Sequence, residues 1–450
     1  MAKVIGTLVP MSALGTFEDG IVFLDWLKKT NQSAWQVLPL YETQLELGSA
    51  TRHIPSPYKS YGVGLDPKYL PKSFLKRYPT VKEIHAFIAE NKDWIHDYAF
   101  FCALRDHFKT DDWRKWDADL KIRNPKALSL WTEKLSKKIN AHILTQWQLH
   151  MSYQKLRRKA KEFGIALIGD LSFYVSLQSP LVWTNQNVFQ IEKDGSMLYV
   201  SGVPDGANAS LGRQVWGHPL YNWEVESQHK GIRIFWKMRL VYMSKLFDFV
   251  RLDYARGFFQ YGAIDIKSKD GDTFKKGPGE QFFADIIAFN HRNGVVSFAE
   301  DSGKNLEQIQ LWMKKLHIPG VKIFRFGIYS KKGTINEEHI NPTLYPANTV
   351  AYTTMHDTVT LLGYLHILTP EQKQTLAAHS HVSYDVDDKI LAERLRFAVV
   401  HSPANTVIIP IQDWLLTTDR INVPGTERSV GDPNWQYRLK IPIEQLPIQF

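Results

Sequence analysis

Four apolar, β-rich runs of this sequence finish in or beside carboxylates: IALIGDL with Asp170, FDFVRLD in Asp253, VVSFAED in Glu300 and Asp301, and TVAYTTMHD in Asp357. Carboxylates delivered from separate strand ends to one level can divide the work of glycoside chemistry. One attacks the anomeric carbon as an anion, while a second, protonated, donates to the leaving oxygen. A third nearby stabilises the oxocarbenium-like transition state and raises the pKa of the acid by like-charge repulsion. Within FDFVRLD, a strand period of two puts Phe249, Arg251 and Asp253 on one face and Val250 and Leu252 on the other. The aliphatic face suits a covering helix layer, so Arg251 and Asp253 point inward, where a charge must be paired or used. This motif alone leaves two readings open: a structural ion pair at the strand end, or a nucleophile that Arg251 keeps ionised. Three acids on three strand ends favour the second. His356 stands beside the third acid, Asp357.

The acids need a scaffold that brings strand ends together. Seven runs read as strands: 35–40, 165–171, 247–253, 295–301, 321–326, 349–357 and 406–413, with an eighth expected at SYGVGLD, 60–66. Helical patterns lie between them. Phe23, Trp26 and Leu27 share a face, as do Leu144, Trp147 and Met151, and Gly164 is placed to end the second helix. Alternating strands and helices of this number predict an α/β fold, a (β/α)₈ TIM barrel spanning 1–450, whose chemistry sits at the C-terminal strand ends. Residues 71–162 read as an inserted helical subdomain and 184–230 as loops over the barrel mouth. No separate C-terminal β-sandwich domain is expected.

Composition bounds the partners. The net charge of +9, from 55 basic and 46 acidic residues over 450, fits solvated helix faces, and no motif supports nucleic-acid binding. No run reaches the apolar length of a membrane span. The VIGTLVPMSALG stretch near the N-terminus contains Pro10 and is followed by Glu18 and Asp19, so it reads as a first strand, not as an address. One cysteine, Cys102, excludes an internal disulfide and any multi-cysteine metal site, and fits a reducing compartment. A cytoplasmic location follows. The aromatic share of 13%, with 14 Trp, is compatible with sugar stacking.

The text around the acids resembles the amylomaltase (4-α-glucanotransferase) family of the α-amylase clan. IPSPYKSYGVGLDP (54–67) is similar to its SPYQS-x-SAFAGNP loop, and FGIALIGDLSFYVSLQSPLVW (163–183) to its LIGDLPIYV stretch. GRQVWGHPLYNW (212–223) resembles GQ-x-WGNPLYDW, FVRLDYARGF (249–258) resembles VRIDHFRGF, and KGPGEQFF (276–283) resembles the KGPG segment. AYTTMHDTVTLLGY (351–364) resembles YTGTHDN-x-T-x-x-GW, and INVPGT with NWQYR (421–438) resembles MNTPGT…NWRWR. The resemblance implies a retaining double displacement between maltooligosaccharides, with Asp253 as nucleophile, Glu300 as acid/base and Asp357 as transition-state stabiliser. It also implies that Arg251 and His356 support them, and that Tyr58, Asp66, Trp216, Asn422 and the backbone near Gly425 belong to sugar-contact regions. It implies no metal and no organic cofactor. Oligomeric state is not readable.

Several neighbours depart from the family pattern. Tyr254 replaces the His after the nucleophile and Ala255 the following Phe; Asp66 and His218 each replace an Asn. Thr358 replaces the Asn of HDN, Ile328-Tyr329-Ser330 replaces Phe-Asp-Asp, and Asp205 is followed by Gly206 and Ala207 where the family has an aromatic pair. The chain is also short for the family, which implies trimmed insertions. These changes imply altered subsites and keep two alternatives: an α-1,4-glucan hydrolase that uses water as acceptor, and a catalytically weak glucan-binding protein.

Overall fold

Eight parallel strands form the centre of the molecule in the computed structural model, which describes residues 3–205, 212–301, 306–329, 333–426 and 433–448. In chain order they are β1 (Val4–Leu8), β2 (Ala34–Gln36), β3 (Ala166–Leu171), β4 (Phe249–Leu252), β5 (Val296–Ala299), β6 (Gly320–Ile323), β7 (Thr349–Tyr352) and β8 (Thr406–Pro410). Their order in the sheet is β5-β4-β3-β2-β1-β8-β7-β6, so each lies beside its neighbour in sequence and the last returns to the first. Val4 stands opposite Thr406 where β1 meets β8. The ring closes between β5 and β6. There the Ala299 N–H donates to the Pro319 carbonyl at 3.0 Å, and the Asp301 carboxylate accepts the Val321 N–H at 2.7 Å.

The eighth strand is β1, not SYGVGLD. Ser60–Leu65 is a strand, but it pairs antiparallel with Tyr41–Thr43 outside the barrel. The sequence contains the reason: Gly62 and Gly64 take φ of +77° and +76°, which breaks the even alternation a barrel strand needs. The barrel strands are also shorter than the apolar runs that signalled them. The run 321–326 ends as one 3₁₀ turn, Phe324–Phe326, and 406–413 ends as the short helix Ile411–Trp414.

Period two sorts side chains into two cores. Leu8, Ile168, Phe298, Val321, Ile323, Val350, Tyr352 and Ile408 fill the barrel interior. Leu167, Val250, Leu252, Ala299, Ala351, Val407 and Ile409 face outward and pack under the helices. Helix α1 (Phe17–Lys29) is started by a Thr16–Asp19 capping box and buries Phe23, Trp26 and Leu27. Helix α2 (Ser136–Phe163) ends at Gly164, left-handed at φ 69°, and feeds β3. Within 71–162, α2 is preceded by helices that include Val81–Glu90, Ile95–Phe108 and Pro125–Lys134.

The 184–230 stretch, expected as loops, instead contains two strands. Tyr199–Val203 and Gln214–Pro219 form a four-stranded antiparallel sheet with Gln260–Asp265 and Thr273–Lys276. Gly206, Ala207 and Ser330 lie outside the described residues. Among those described, no helix is long and apolar enough to cross a membrane.

Candidate active site

Register brings the charges together. Asp170 on β3 stands directly opposite Arg251 on β4, one level below the strand ends. The Arg251 side chain is only 2% exposed, and its guanidinium serves three carboxylates. Nη1 donates to both oxygens of Asp170 (2.8 and 2.7 Å) and to Oδ1 of Asp253 (3.0 Å); Nη2 donates to Oε2 of Glu300 (2.8 Å). Asp170 is fully covered, whereas Asp253 and Glu300 keep 23% and 25% of their side chains exposed toward the mouth. Both lie just past their strands, with the Asp253 N–H bonded to the Leu171 carbonyl and the Glu300 N–H to that of Leu252. Arginine suits this place because its planar fork can hold separate carboxylates at once.

A second chain of hydrogen bonds reaches Asp357. The Tyr58 hydroxyl donates to Asp170 at 2.7 Å, and its oxygen lies 3.0 Å from His356 Nε2. Burial beside Asp170 pushes the Tyr58 phenol well above its ordinary pKa, so it remains a donor. His356 Nε2 also faces Asp357 Oδ2 at 3.3 Å, so an N–H at this nitrogen points to that carboxylate. Asn422 Nδ2 donates to the other Asp357 oxygen at 2.7 Å, and its N–H to the His356 carbonyl at 3.0 Å. Behind this loop the buried Asp413 carboxylate accepts the Thr353 and Thr354 hydroxyls (2.5 and 2.6 Å) and the Leu361 N–H (2.7 Å).

The two front acids titrate in opposite directions. Burial pushes the Asp253 carboxyl well above the usual range; Arg251 pulls it down, but Asp170, Glu300 and Asp357 push it up again. Arg251 thus acts toward ionising Asp253, as expected, but does not by itself outweigh burial and the three neighbouring acids. For Asp357, burial acts upward too, yet His356, the Asn422 hydrogen bond and Arg251 outweigh it and leave the carboxyl below its ordinary value.

Of the positions singled out in the sequence, Asp253, Glu300, Asp357, Tyr58, Arg251, His356 and Asn422 form this one network. Trp216 stands beside it, half-buried, its ring perpendicular to that of Tyr254 at 4.8 Å. Asp66 is used elsewhere: its carboxylate caps the turn at Pro67–Tyr69 and pairs with Lys68 at 2.7 Å. Asp301, adjacent to Glu300, turns to the β5–β6 closure. Three contributors had no assigned role from sequence. Asp170 was visible as a strand-end acid on the inward period; Trp435, within 5.5 Å of the Tyr58 ring and 5.8 Å of His356, and Lys59, which donates to the Trp216 carbonyl, carried no such signal. Among the described residues no group of three His, Cys, Asp or Glu side chains could hold a metal ion.

The model of the 4-alpha-glucanotransferase family matches residues 66–444. The chain belongs to this family. A 4-alpha-glucanotransferase of Aquifex aeolicus is 32% identical, over 93% of this chain and 90% of that one. One of Clostridium butyricum is 28% identical, over 97% and 95%. The solved structure of an amylomaltase from Streptococcus agalactiae, in complex with acarbose, superposes with a TM-score of 0.84 at 25% identity, covering 97% of this chain and 95% of that one. The chain is thus a 4-alpha-glucanotransferase on a (β/α)₈ barrel, acting on α-1,4-glucans.

Proposed function

We propose that this 4-alpha-glucanotransferase works by a retaining double displacement between maltooligosaccharides, with Asp253 as nucleophile, Glu300 as acid/base and Asp357 as transition-state stabiliser. The observation that carries the reading is the common guanidinium: Asp253 and Glu300 hang from Nη1 and Nη2 of Arg251. That tether favours the short carboxylate spacing of retaining enzymes, about 5–5.5 Å, over the wider spacing that accommodates an inverting water.

In the first step Asp253 attacks C1 of the donor sugar, the C1–O bond breaks, and Glu300 gives its proton to the departing oxygen. In the second step the 4-hydroxyl of an acceptor attacks C1, its proton passes to Glu300, and the ester to Asp253 breaks. This sequence of steps requires Glu300 protonated and Asp253 ionised when the donor is bound. Asp357, held as an anion by His356 and Asn422, is suited to grip the sugar hydroxyls as positive charge develops at C1. The reading includes no metal or organic cofactor and a cytoplasmic setting, in keeping with a sole cysteine that is free and buried.

Maltotriose is the test substrate. Transfer gives longer and shorter maltodextrins at a constant number of reducing ends, lost in D253N and E300Q. A rising number of reducing ends with only shorter products would establish a hydrolase instead, and a ladder that survives either substitution would overturn the residue roles.

A further inference from the structure

Tyr254 follows the nucleophile in a conformation that large side chains avoid, left-handed at φ 49° and ψ 45°. The twist aims its N–H at Oε2 of Glu300, 3.2 Å away. It also turns the ring out of the barrel and against the antiparallel sheet. There the phenol oxygen accepts the Gly262 N–H at 3.1 Å, and the Phe173 ring meets it edge-on at 5.8 Å. At Gly257 an added Cβ would come within 2.9 Å of Phe173 and 3.0 Å of Tyr254 Cδ1, so the ring is closely seated. Trp216 stands perpendicular to it at 4.8 Å, its carbonyl held by Lys59, and the Tyr174 ring lies tilted at 6.4 Å. Tyr254 and Trp216 are both half-buried, so the perpendicular pair keeps part of its surface exposed, and the Tyr254 N–H ties this pair to Glu300.

We propose that Tyr254 is a specificity-determining residue. Its left-handed backbone locks it against Glu300, and its ring completes with Trp216 the corner that receives the acceptor sugar, so that it sets the partition between glucan and water. This rests on Glu300 as the acid/base. In the second step the C1–ester bond to Asp253 breaks whichever nucleophile attacks, and Glu300 takes the proton from either. A sugar needs an apolar surface for its ring face, whereas water needs none. Removing the ring therefore penalises transfer alone.

The test uses α-maltotriosyl fluoride as donor and glucose as acceptor, with D253N as a control. Fluoride release reports the first step, and the maltotetraose-to-maltotriose ratio reports the partition. If D253N still releases fluoride, the nucleophile assignment fails, independently of Tyr254. Tyr254→Asn keeps a residue that tolerates left-handed backbone, and with it the N–H to Glu300. We expect its fluoride release to fall by no more than about threefold while the maltotetraose-to-maltotriose ratio falls about tenfold or more. Tyr254→Phe retains the ring and is expected to hold that ratio within about twofold. A parental ratio in Y254N overturns the proposal. So does a proportional loss of both steps in Y254N, which would mark a merely structural role, or a Y254F ratio as low as that of Y254N.

Discussion

Arg251→Lys separates charge from shape at the centre of the site. The guanidinium makes four charge-assisted hydrogen bonds to three carboxylates, and two terminal nitrogens are needed to reach from Asp170 to Glu300. A lysine ammonium offers donors from a single point, so it can stay with the buried Asp170 but cannot also span to Glu300. A hydrogen bond to a charged group contributes about 1.5–3 kcal/mol, which is about 10- to 150-fold in rate if the geometry of Glu300 depends on it. Arg251→Met goes further and leaves Asp170, fully covered, without its counter-ion. Breaking such a pair costs about 3–5 kcal/mol. An unfolding entropy of about 2.1 cal/mol/K per residue over 450 residues gives about 0.9 kcal/mol/K, so R251M should melt about 3–5 °C below the parent. R251K should lose less stability but most of the activity. Glucose release from maltotriose gives kcat, and calorimetry gives the melting temperature. An R251K enzyme with kcat within about threefold of the parent refutes the tether. A loss of activity that merely follows the unfolded fraction refutes it equally.

The remaining predictions concern titration and support. Asp253→Asn removes a carboxylate whose folded pKa is raised by burial and by three neighbouring acids. Its charged form destabilises the fold above that pKa, so D253N should melt higher than the parent at pH 8, and the gain should shrink as pH falls. Scanning calorimetry between pH 5 and 8 checks this, and a gain that grows toward acid contradicts it. Asn422→Ala removes a hydrogen bond from ionised Asp357, whose carboxyl is held low against burial. The acid limb of the kcat/KM profile should move to higher pH, and an unmoved limb would detach Asp357 from that limb. Burial holds His150 down at about 4, against an ordinary 6.5. A His lowered on folding contributes stability that is lost as pH falls from 6.5 toward 4, about 2 kcal/mol by pH 5. His150→Gln should flatten that part of the profile in urea titrations at pH 7 and 5.

The chemistry of this chain was more legible than its edges, for a physical reason. Inward-facing charges on strands of period two are conspicuous, because Val250 and Leu252 declare the covered face and leave Arg251 and Asp253 with the other. The same logic exposes Asp170 but not its task, since nothing in a linear pattern states that β3 and β4 align Asp170 with Arg251. The misplaced eighth strand shows the opposite case. SYGVGL is completely buried and apolar enough to read as a barrel strand, whereas VIGTL reads only as a first strand of unassigned place. What separates them is the left-handed backbone at Gly62 and Gly64, and glycine permits that conformation without requiring it. Asp66 misleads for a related reason: a carboxylate two residues before Lys68 caps its own turn, a local use that competes with any distant one. Trp435, whose backbone N–H donates to the Ile421 carbonyl, meets Tyr58 and His356 from the C-terminal segment, which no periodicity marks.

The divided guanidinium also bears on why such a site is kept. For Asp253 the arrangement is a poor one for stability, since desolvation and the repulsion of Asp170, Glu300 and Asp357 act against its ionised form. The reaction changes the sign of the problem. As the bond to the leaving oxygen lengthens, C1 and the ring oxygen acquire positive charge, and the surplus of negative charge that strains the resting site becomes complementary to the sugar. The scaffold can bear the strain because it lies between two continuous cores, one inside the barrel and one under the helices. A second arginine, placed to neutralise Asp253 at rest, would relieve the resting site and weaken its complementarity to the transition state. Stability and rate therefore make opposed demands on the same four side chains, and the single shared guanidinium is the compromise that holds the acids in position without cancelling their charge.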